Sequence, residues 1–259
     1  MHYGSMGFIG GGRITRIILT ALQKAGKLTR SIIVSDTNSF VLANLLKDFP
    51  GIEATGSDNT WPARCDVVFI SLHPPVLMDA LKEVKSLIKP DSVVVSLAPK
   101  LTLTRLSAIL DRHARIVRMI PNAPSIVNRG YNPVAFSRGT PVDEKTALLR
   151  LFETLGECPE VPEENLEAYA IIAAMGPTYF WFQWHILSEI GQSFGLTESA
   201  VKEAVAKMAG GAVDTMFASP LKPEEVMDLV PVKPLAEDEE TIRNIYKTRL
   251  SALFNKLKS

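Results

Sequence analysis

The groups most open to chemistry near the start of the chain are backbone amides, bared by Gly10, Gly11 and Gly12 between the apolar stretch Gly7-Phe8-Ile9 and a helical run that begins at Arg13. A glycine turn leading from a strand into a helix brings an anion against the free N–H groups of the helix N-terminus, where the dipole favours negative charge. Gly10 suits the tight turn and Gly12 lets a phosphate approach the main chain. The third position of the usual G-x-G-x-x-G spacing is Thr15. Asp36 stands 24 residues after Gly12, at the end of Ile32-Ile33-Val34-Ser35-Asp36. An acidic residue after the second strand accepts hydrogen bonds from a ribose and repels a 2′-phosphate, so the pattern predicts NAD or NADP with a lean to NAD. Ser35, Thr37 and Asn38 are donors that suit NADP instead, and Arg13 could grip either phosphate group. The plain alternative is a glycine turn with no ligand.

Other side chains are weighed on the same terms. Asn122 lies between Pro121 and Ala123 in a loop after an apolar strand, and loops at strand C-terminal ends carry ligand contacts in α/β sheets. Tyr179 could donate a proton or a hydrogen bond to a substrate nitrogen, although a tyrosine that begins an apolar helix is more often packing. His185 lies seven residues after Thr178 on the same helical face, where a pocket residue and a satisfied core histidine are equally good readings. Tyr179, Phe180, Trp181, Phe182 and Trp184 read as a subunit core ahead of a stacking box for a ring substrate. His113 follows Asp111 and Arg112 in a solvated turn and takes no role. Cys65 and Cys158 show no metal-ligand spacing, so neither a metal site nor a disulfide is expected, which suits a reducing cytoplasm.

These residues need a scaffold. A chain of 259 residues, 46% hydrophobic, can bury two cores. Its 28 basic and 28 acidic residues form no basic block, which argues against nucleic acid and for a small-molecule ligand. Before about residue 138, β-branched runs at 6–10, 31–35, 66–71, 92–97 and 115–119 alternate with helical patterns at 13–25, 40–47, 76–88 and 103–110. That alternation predicts a doubly wound parallel sheet, completed by a strand at 131–136 and a helix at 143–155. Helices are expected at 163–174, 178–194, 198–217 and 238–258, with Gly195 as a stop and Thr197 as an N-cap. Residues 221–238 carry three prolines and read as an ordered loop or short turns. The uncharged run 168–187 approaches the length of a membrane span. Gly176 and Pro177 interrupt it and no basic cluster flanks it, so a core or subunit contact is the better reading. The N-terminal stretch lacks the features of a signal peptide.

Five blocks in order, GFIGGGRI, DVVFISLHPPVL, VVVSLAPKLTLTRL, IVRMIPNAPSIVNRG and AAMGPTYFWF, resemble those of pyrroline-5-carboxylate reductases. The resemblance runs from about residue 6 to about residue 230, and MIPNAPSIVNRG is its most specific part. It implies a Rossmann-type sheet over 1–160, an all-helical dimerisation and substrate domain over 161–259, a homodimer or higher homo-oligomer, and reduction of a cyclic imine by NADPH or NADH. A non-catalytic dinucleotide-binding homologue acting through protein partners is the alternative. Carried over by position, Gly10, Gly12, Arg13 and Ile14 would hold the pyrophosphate. Ser35, Asp36 and Thr37 would face the adenosine ribose, Asn59 the adenine, and Leu72, His73 and Pro74 would run beneath the cofactor. Ala98, Pro121, Asn122 and Ala123 would surround the nicotinamide. Met175, Gly176, Pro177 and Thr178 would start the substrate-facing helix, with Thr178, Tyr179 and Asn122 as catalytic candidates. His73 stands where the family has Lys, and Ala98-Pro99-Lys100 where it has Ala-Ala-Gly. Residues 232–237 replace its Ser-Pro-Gly-Gly-Thr-Thr carboxylate loop. Pro234 has no N–H there and Ala236 no hydroxyl, which predicts weak or absent reduction of pyrroline-5-carboxylate unless Lys233 supplies the positive charge.

Overall fold

The computed structural model describes residues 3–28 and 31–258. In chain order the first elements are β1 (Ser5–Ile9), α1 (Arg13–Lys24), β2 (Ser31–Ser35), α2 (Ser39–Asp48), β3 (Glu53–Ala54), α3 (Thr60–Ala63), β4 (Val67–Ile70), α4 (Pro74–Val84), β5 (Val93–Ser96), α5 (Leu103–Ile109) and β6 (Ile116–Met119). They are followed by β7 (Gly130–Tyr131), β8 (Val134–Phe136), α6 (Val142–Phe152) and β9 (Gly156–Glu157). Seven strands form one sheet in the order β3-β2-β1-β4-β5-β6-β8, parallel except for the antiparallel β8. The doubly wound reading therefore holds. The strands β4 Val-Val-Phe-Ile and β5 Val-Val-Val-Ser are buried at every position because helices cover both faces. Residues of one strand divide between two cores: Val67 and Phe69 pack with Phe8 and Phe152 on one face, Val68 and Ile70 with Leu77, Leu81 and Leu106 on the other.

Several expectations are corrected. The strand expected at 131–136 is two strands, β7 and β8, interrupted at Asn132-Pro133, where the proline has no N–H for a ladder. β3 and α3 are too short for their periodicity to be read from sequence. The helix expected at 163–174 is a 3₁₀ turn (Glu163–Asn165), a short α7 (Leu166–Tyr169) and a π turn (Ala170–Ala174). There the Met175 amide reaches back to the Ala170 carbonyl at 3.0 Å. His113 is half-buried, with Nε2 2.9 Å from the Ser92 carbonyl oxygen, and so belongs to the strand edge.

Residues 1–175 with 253–259 form one compact unit and residues 176–252 a second. The second holds α8 (Pro177–Ser193), α9 (Glu198–Ala218), α10 (Pro223–Asp228) and most of α11 (Glu239–Lys258). Thr197 caps α9 by accepting from the Ala200 amide, and Gly195 takes a φ of +94° at the end of α8, both as expected. Pro177 opens α8 at the position where a missing N–H costs nothing. Among the described residues no helix is long and apolar enough to cross a membrane.

One charge lies inside the sheet. Arg118, in the β6 stretch Ile-Val-Arg-Met, is 1% exposed. Its Nη1 donates to Glu163 Oε1 at 2.9 Å and its Nη2 to Glu167 Oε1 at 2.5 Å. The same two carboxylates accept the Leu103 amide at 2.5 Å and the Lys100 amide at 3.2 Å. A buried guanidinium thus joins β6, the loop after β5 and the first turns after Pro162. Removing one partner of such a group leaves uncompensated buried charge, so Arg118→Leu is expected to destabilise the fold by about 3–5 kcal/mol. The check is urea unfolding; a loss below about 1 kcal/mol, the range of a solvated surface pair, would show that the carboxylates do not depend on Arg118.

Candidate functional site

All loops leaving the C-terminal ends of the parallel strands meet at one edge of the sheet, where α/β folds bind ligands. The first is the glycine turn. Gly10 has a φ of +102°, its amide donates to the Ser35 carbonyl at 2.8 Å, and a Cβ there would come within 2.6 Å of the Ser71 carbonyl oxygen. Gly10 is therefore required by the fold. Gly12 differs: its φ of −67° suits any residue, and a Cβ built on it meets nothing within 4 Å. No packing explains a glycine at that position. It stands as the N-cap of α1, which has no side-chain cap and no acidic residue in its first turn, so the first amides of the helix have no side chain to satisfy them. Thr15, the departure from the glycine spacing, is fully buried and donates to the Gly10 carbonyl oxygen at 2.6 Å. Its hydroxyl fastens the turn.

Asp36 closes the other side of this turn. Its Oδ2 accepts the Gly11 amide at 2.8 Å and its Oδ1 the Asn38 amide at 2.8 Å, which fixes a half-buried carboxylate at the end of β2. Ser35 is fully buried and donates to Asn59 Oδ1 at 2.7 Å, so its hydroxyl is spent on holding Asn59. Asn59 precedes α3 and donates from Nδ2 to Glu83 Oε2 at 3.4 Å. Thr37, Arg13 and His73 are exposed, Ile14 and Leu72 half-exposed, and Ala98 is buried beneath the loop after β5. His73 is the N-cap residue of α4, ahead of Pro74, whose own side chain lies outside the described residues.

Asn122 is 6% exposed, and its carboxamide is committed to the protein: Oδ1 accepts the Tyr131 amide at 3.0 Å and Nδ2 donates to the Ala173 carbonyl at 3.4 Å. Its own amide donates to Asn132 Oδ1 at 2.9 Å. Those bonds make it a residue that shapes the loop after β6. Pro121 and Ala123 are half-buried on either side of it. The sequence reading missed Arg118, Glu163, Glu167 and the Gly11 amide. A lone arginine in an apolar strand was the available signal, since a buried charge demands a partner.

In the second unit Gly176 and Pro177 start α8, and the Tyr179 amide donates to the Gly176 carbonyl at 3.0 Å. Tyr179 stacks edge-on against Tyr246 of α11, with centroids 5.8 Å apart. Burial pushes its phenol above the ordinary value, with Tyr246 adding to the effect. Thr178, Tyr179, Phe182, Ile245, Tyr246 and Arg249 help line a cleft of about 510 Å³. A second cleft of about 730 Å³, sharing Gln183, Ile242 and Tyr246 with the first, is lined by Lys233 and Pro234. Lys233 Nζ lies 3.9 Å from Asp228 Oδ1. His185 is well exposed and 3.5 Å from Glu189, and so lines neither cleft. Met175, half-buried, ends the first unit.

A family model for coenzyme F420-dependent NADP oxidoreductases matches residues 5–100. The pyrroline-5-carboxylate reductase of Escherichia coli (strain K12) is 25% identical over 225 residues, covering 87% of this chain and 84% of that one. The enzyme of that name from Corynebacterium melassecola is 27% identical over 222 residues, covering 84% and 82%. Among solved structures, Plasmodium falciparum pyrroline carboxylate reductase with NADP bound aligns with a TM-score of 0.82 at 19% identity, covering 98% of this chain and 97% of that one. A pyrroline-5-carboxylate reductase from Coxiella burnetii aligns with a TM-score of 0.71 at 24% identity, covering 99% and 95%.

The contrast between the two glycines has a measurable consequence. Gly12→Val should abolish NADH and NADPH binding, read by fluorescence titration, with an unfolding midpoint within about 2 °C of the parent. Gly10→Ala should lower the midpoint clearly, because its Cβ meets the backbone of Ser71. Undiminished dinucleotide binding by Gly12→Val would show that the cradle lies elsewhere.

Proposed function

We infer that this chain, a divergent member of the pyrroline-5-carboxylate reductase family, is an NAD(P)H-dependent oxidoreductase that reduces a cyclic imine, pyrroline-5-carboxylate or a related C=N compound. The observation that carries this reading is Gly12, a glycine that neither backbone angle nor packing requires, at the mouth of an uncapped helix. A pyrophosphate is the ligand whose approach a side chain there would block. Relatives named for this reaction, aligned over more than four-fifths of both chains, support it against a non-catalytic homologue.

A nicotinamide dinucleotide, when bound, supplies the hydride. Gly10, Gly12, Arg13 and Ile14 hold its pyrophosphate. Asp36, fixed by two amides, presents negative charge to the adenosine ribose and favours NAD over NADP, with Thr37 beside it. Asn59 flanks the adenine, and Ser35 acts through Asn59. Leu72, His73, Pro74 and Ala98 run along the nicotinamide half, and Asn122 positions that loop. Met175, Gly176, Pro177, Thr178 and Lys233 serve the substrate. Tyr179, a phenol protonated at neutral pH and made a weaker acid by burial, donates a hydrogen bond to the imine nitrogen. That hydrogen bond would stabilise negative charge on the nitrogen and make the neighbouring carbon more electrophilic towards hydride.

The same reading makes the folded unit a homodimer or higher homo-oligomer built through residues 165–217. Trp181, Phe182, Ile186, Phe194, Met208 and Phe217 are each 46% exposed or more in the single chain, a larger apolar surface than monomers tolerate. A stable monomer in sedimentation at micromolar concentration would refute this assembly; the expected species is a dimer or larger.

Steady-state assays with pyrroline-5-carboxylate and the unsubstituted imine 1-pyrroline, each with NADH and NADPH, test the reaction. Imine-dependent oxidation of the dinucleotide is expected, at least as fast with NADH. Dinucleotide binding with no turnover of either imine would favour the non-catalytic homologue.

A further inference from the structure

The strand order reverses between β1 and β4, the switch point across which a doubly wound fold lays the two halves of a dinucleotide. Asp36 at the end of β2 and Asn59 ahead of α3 belong to the adenosine side. The loops after β4, β5 and β6 are therefore left for the other half, the nicotinamide riboside. In the loop after β6 the ladder closes early: Met119 pairs with Val134, and the Ile120 amide donates to the Pro133 carbonyl at 3.0 Å. Two residues on, the Asn122 amide takes a side chain in place of a strand carbonyl, Asn132 Oδ1 at 2.9 Å.

Asn132 and Ser125 are both fully buried, and the same Oδ1 also accepts the Ser125 hydroxyl at 3.0 Å. Ser125 lies in the 3₁₀ turn Ala123–Val127, so one side-chain oxygen grips the loop at Asn122 and again in the turn that follows. The backbone of Asn132 is itself fixed, its amide donating to the Glu157 carbonyl at 2.8 Å. Gly130 leaves room for this arrangement, since a Cβ there would collide with Ser125 Oγ and Asn132 Nδ2. The Asn122 carboxamide, meanwhile, is spent on Tyr131 and Ala173. A loop with its polar side chain turned inward meets a ligand through main chain and through the small faces of Pro121 and Ala123, so what it contributes is shape.

We propose that Asn132 is a positioning residue for the nicotinamide riboside: acting through the Asn122 amide and Ser125, it holds the loop after β6 in the form that this half of the cofactor meets. The inference rests on the dinucleotide part of the reductase reading and adds to it a residue that never touches the cofactor. Its effect is confined to one half of the ligand, because none of these bonds runs to the glycine turn or to Asp36.

Calorimetric titration of the full chain with NADH and with ADP, which carries the adenosine and both phosphates but no nicotinamide riboside, tests this. Asn132→Leu nearly keeps the size of the side chain and removes the acceptor, which leaves a buried amide unpaired. It should weaken NADH binding about tenfold and leave ADP binding level. Ser125→Ala removes one of the two bonds to Oδ1 and should weaken NADH about threefold, with ADP again level; it carries the test if Asn132→Leu does not fold. Asn128→Gly is the control for stability alone. It keeps the φ of +58° and deletes the bonds from Asn128 Nδ2 to the Ala21 and Thr154 carbonyls, and its ratio of NADH to ADP affinity should match the parent's. An unchanged ratio in the Asn132 and Ser125 variants, or an equal fall in the Asn128 variant, would overturn the inference and leave the reductase reading intact. A parent chain that binds neither NADH nor ADP would remove the dinucleotide reading, and this inference with it.

Discussion

A single guanidinium inside the sheet sets much of what surrounds the candidate site. Arg118 is enclosed by apolar strands and almost wholly removed from solvent. A charge in that position is tolerable only if carboxylates meet it with good geometry. Glu163 and Glu167 do so from one short stretch of chain, and their spare lone pairs take the amides of Leu103 and Lys100. Three segments far apart in sequence are thereby held together. The main chain after β5, which forms part of the ligand edge, inherits its path from this electrostatic requirement.

The glycine turn shows a division of labour between neighbours of the same type. Gly10 is a glycine for the protein's own sake, because its backbone angle and the Ser71 carbonyl leave no alternative. Gly12 is a glycine with no internal reason. Between them, the Gly11 amide binds Asp36 and ties the first turn to the second strand. Thr15, which looked like a loosened fingerprint, tightens the same turn through its hydroxyl.

The second unit obeys a different constraint. α8 has no buried residue in the single chain, and α9 buries only Val201. An apolar helix that finds so little cover within its own chain leaves a broad nonpolar face open. The Tyr179–Tyr246 contact and the clefts beside it lie on this surface, which places the tyrosine's shifted acidity and the apolar helix in one local environment.

The doubly wound sheet, its glycine turn, the acidic residue after β2, the cap at Thr197 and the helical second half were legible in the residues themselves. Each rests on local chemistry: β-branched runs long enough to show a period, glycine where a turn needs it, a hydroxyl one position before a helix. The commitments of polar side chains were not legible. Arg118 finds Glu167 across 49 positions, and Asn122, which looked free for a ligand, spends its carboxamide on Tyr131 and on Ala173. Ser35 likewise donates its hydroxyl to Asn59, 24 residues away. A buried polar group takes whichever partner the tertiary fold brings within reach, and desolvation makes that partnership obligatory. Residue type and spacing therefore determined which elements form and where backbone amides are bared at the head of a helix. Only the folded chain decided which of the polar residues at that edge were left over for it.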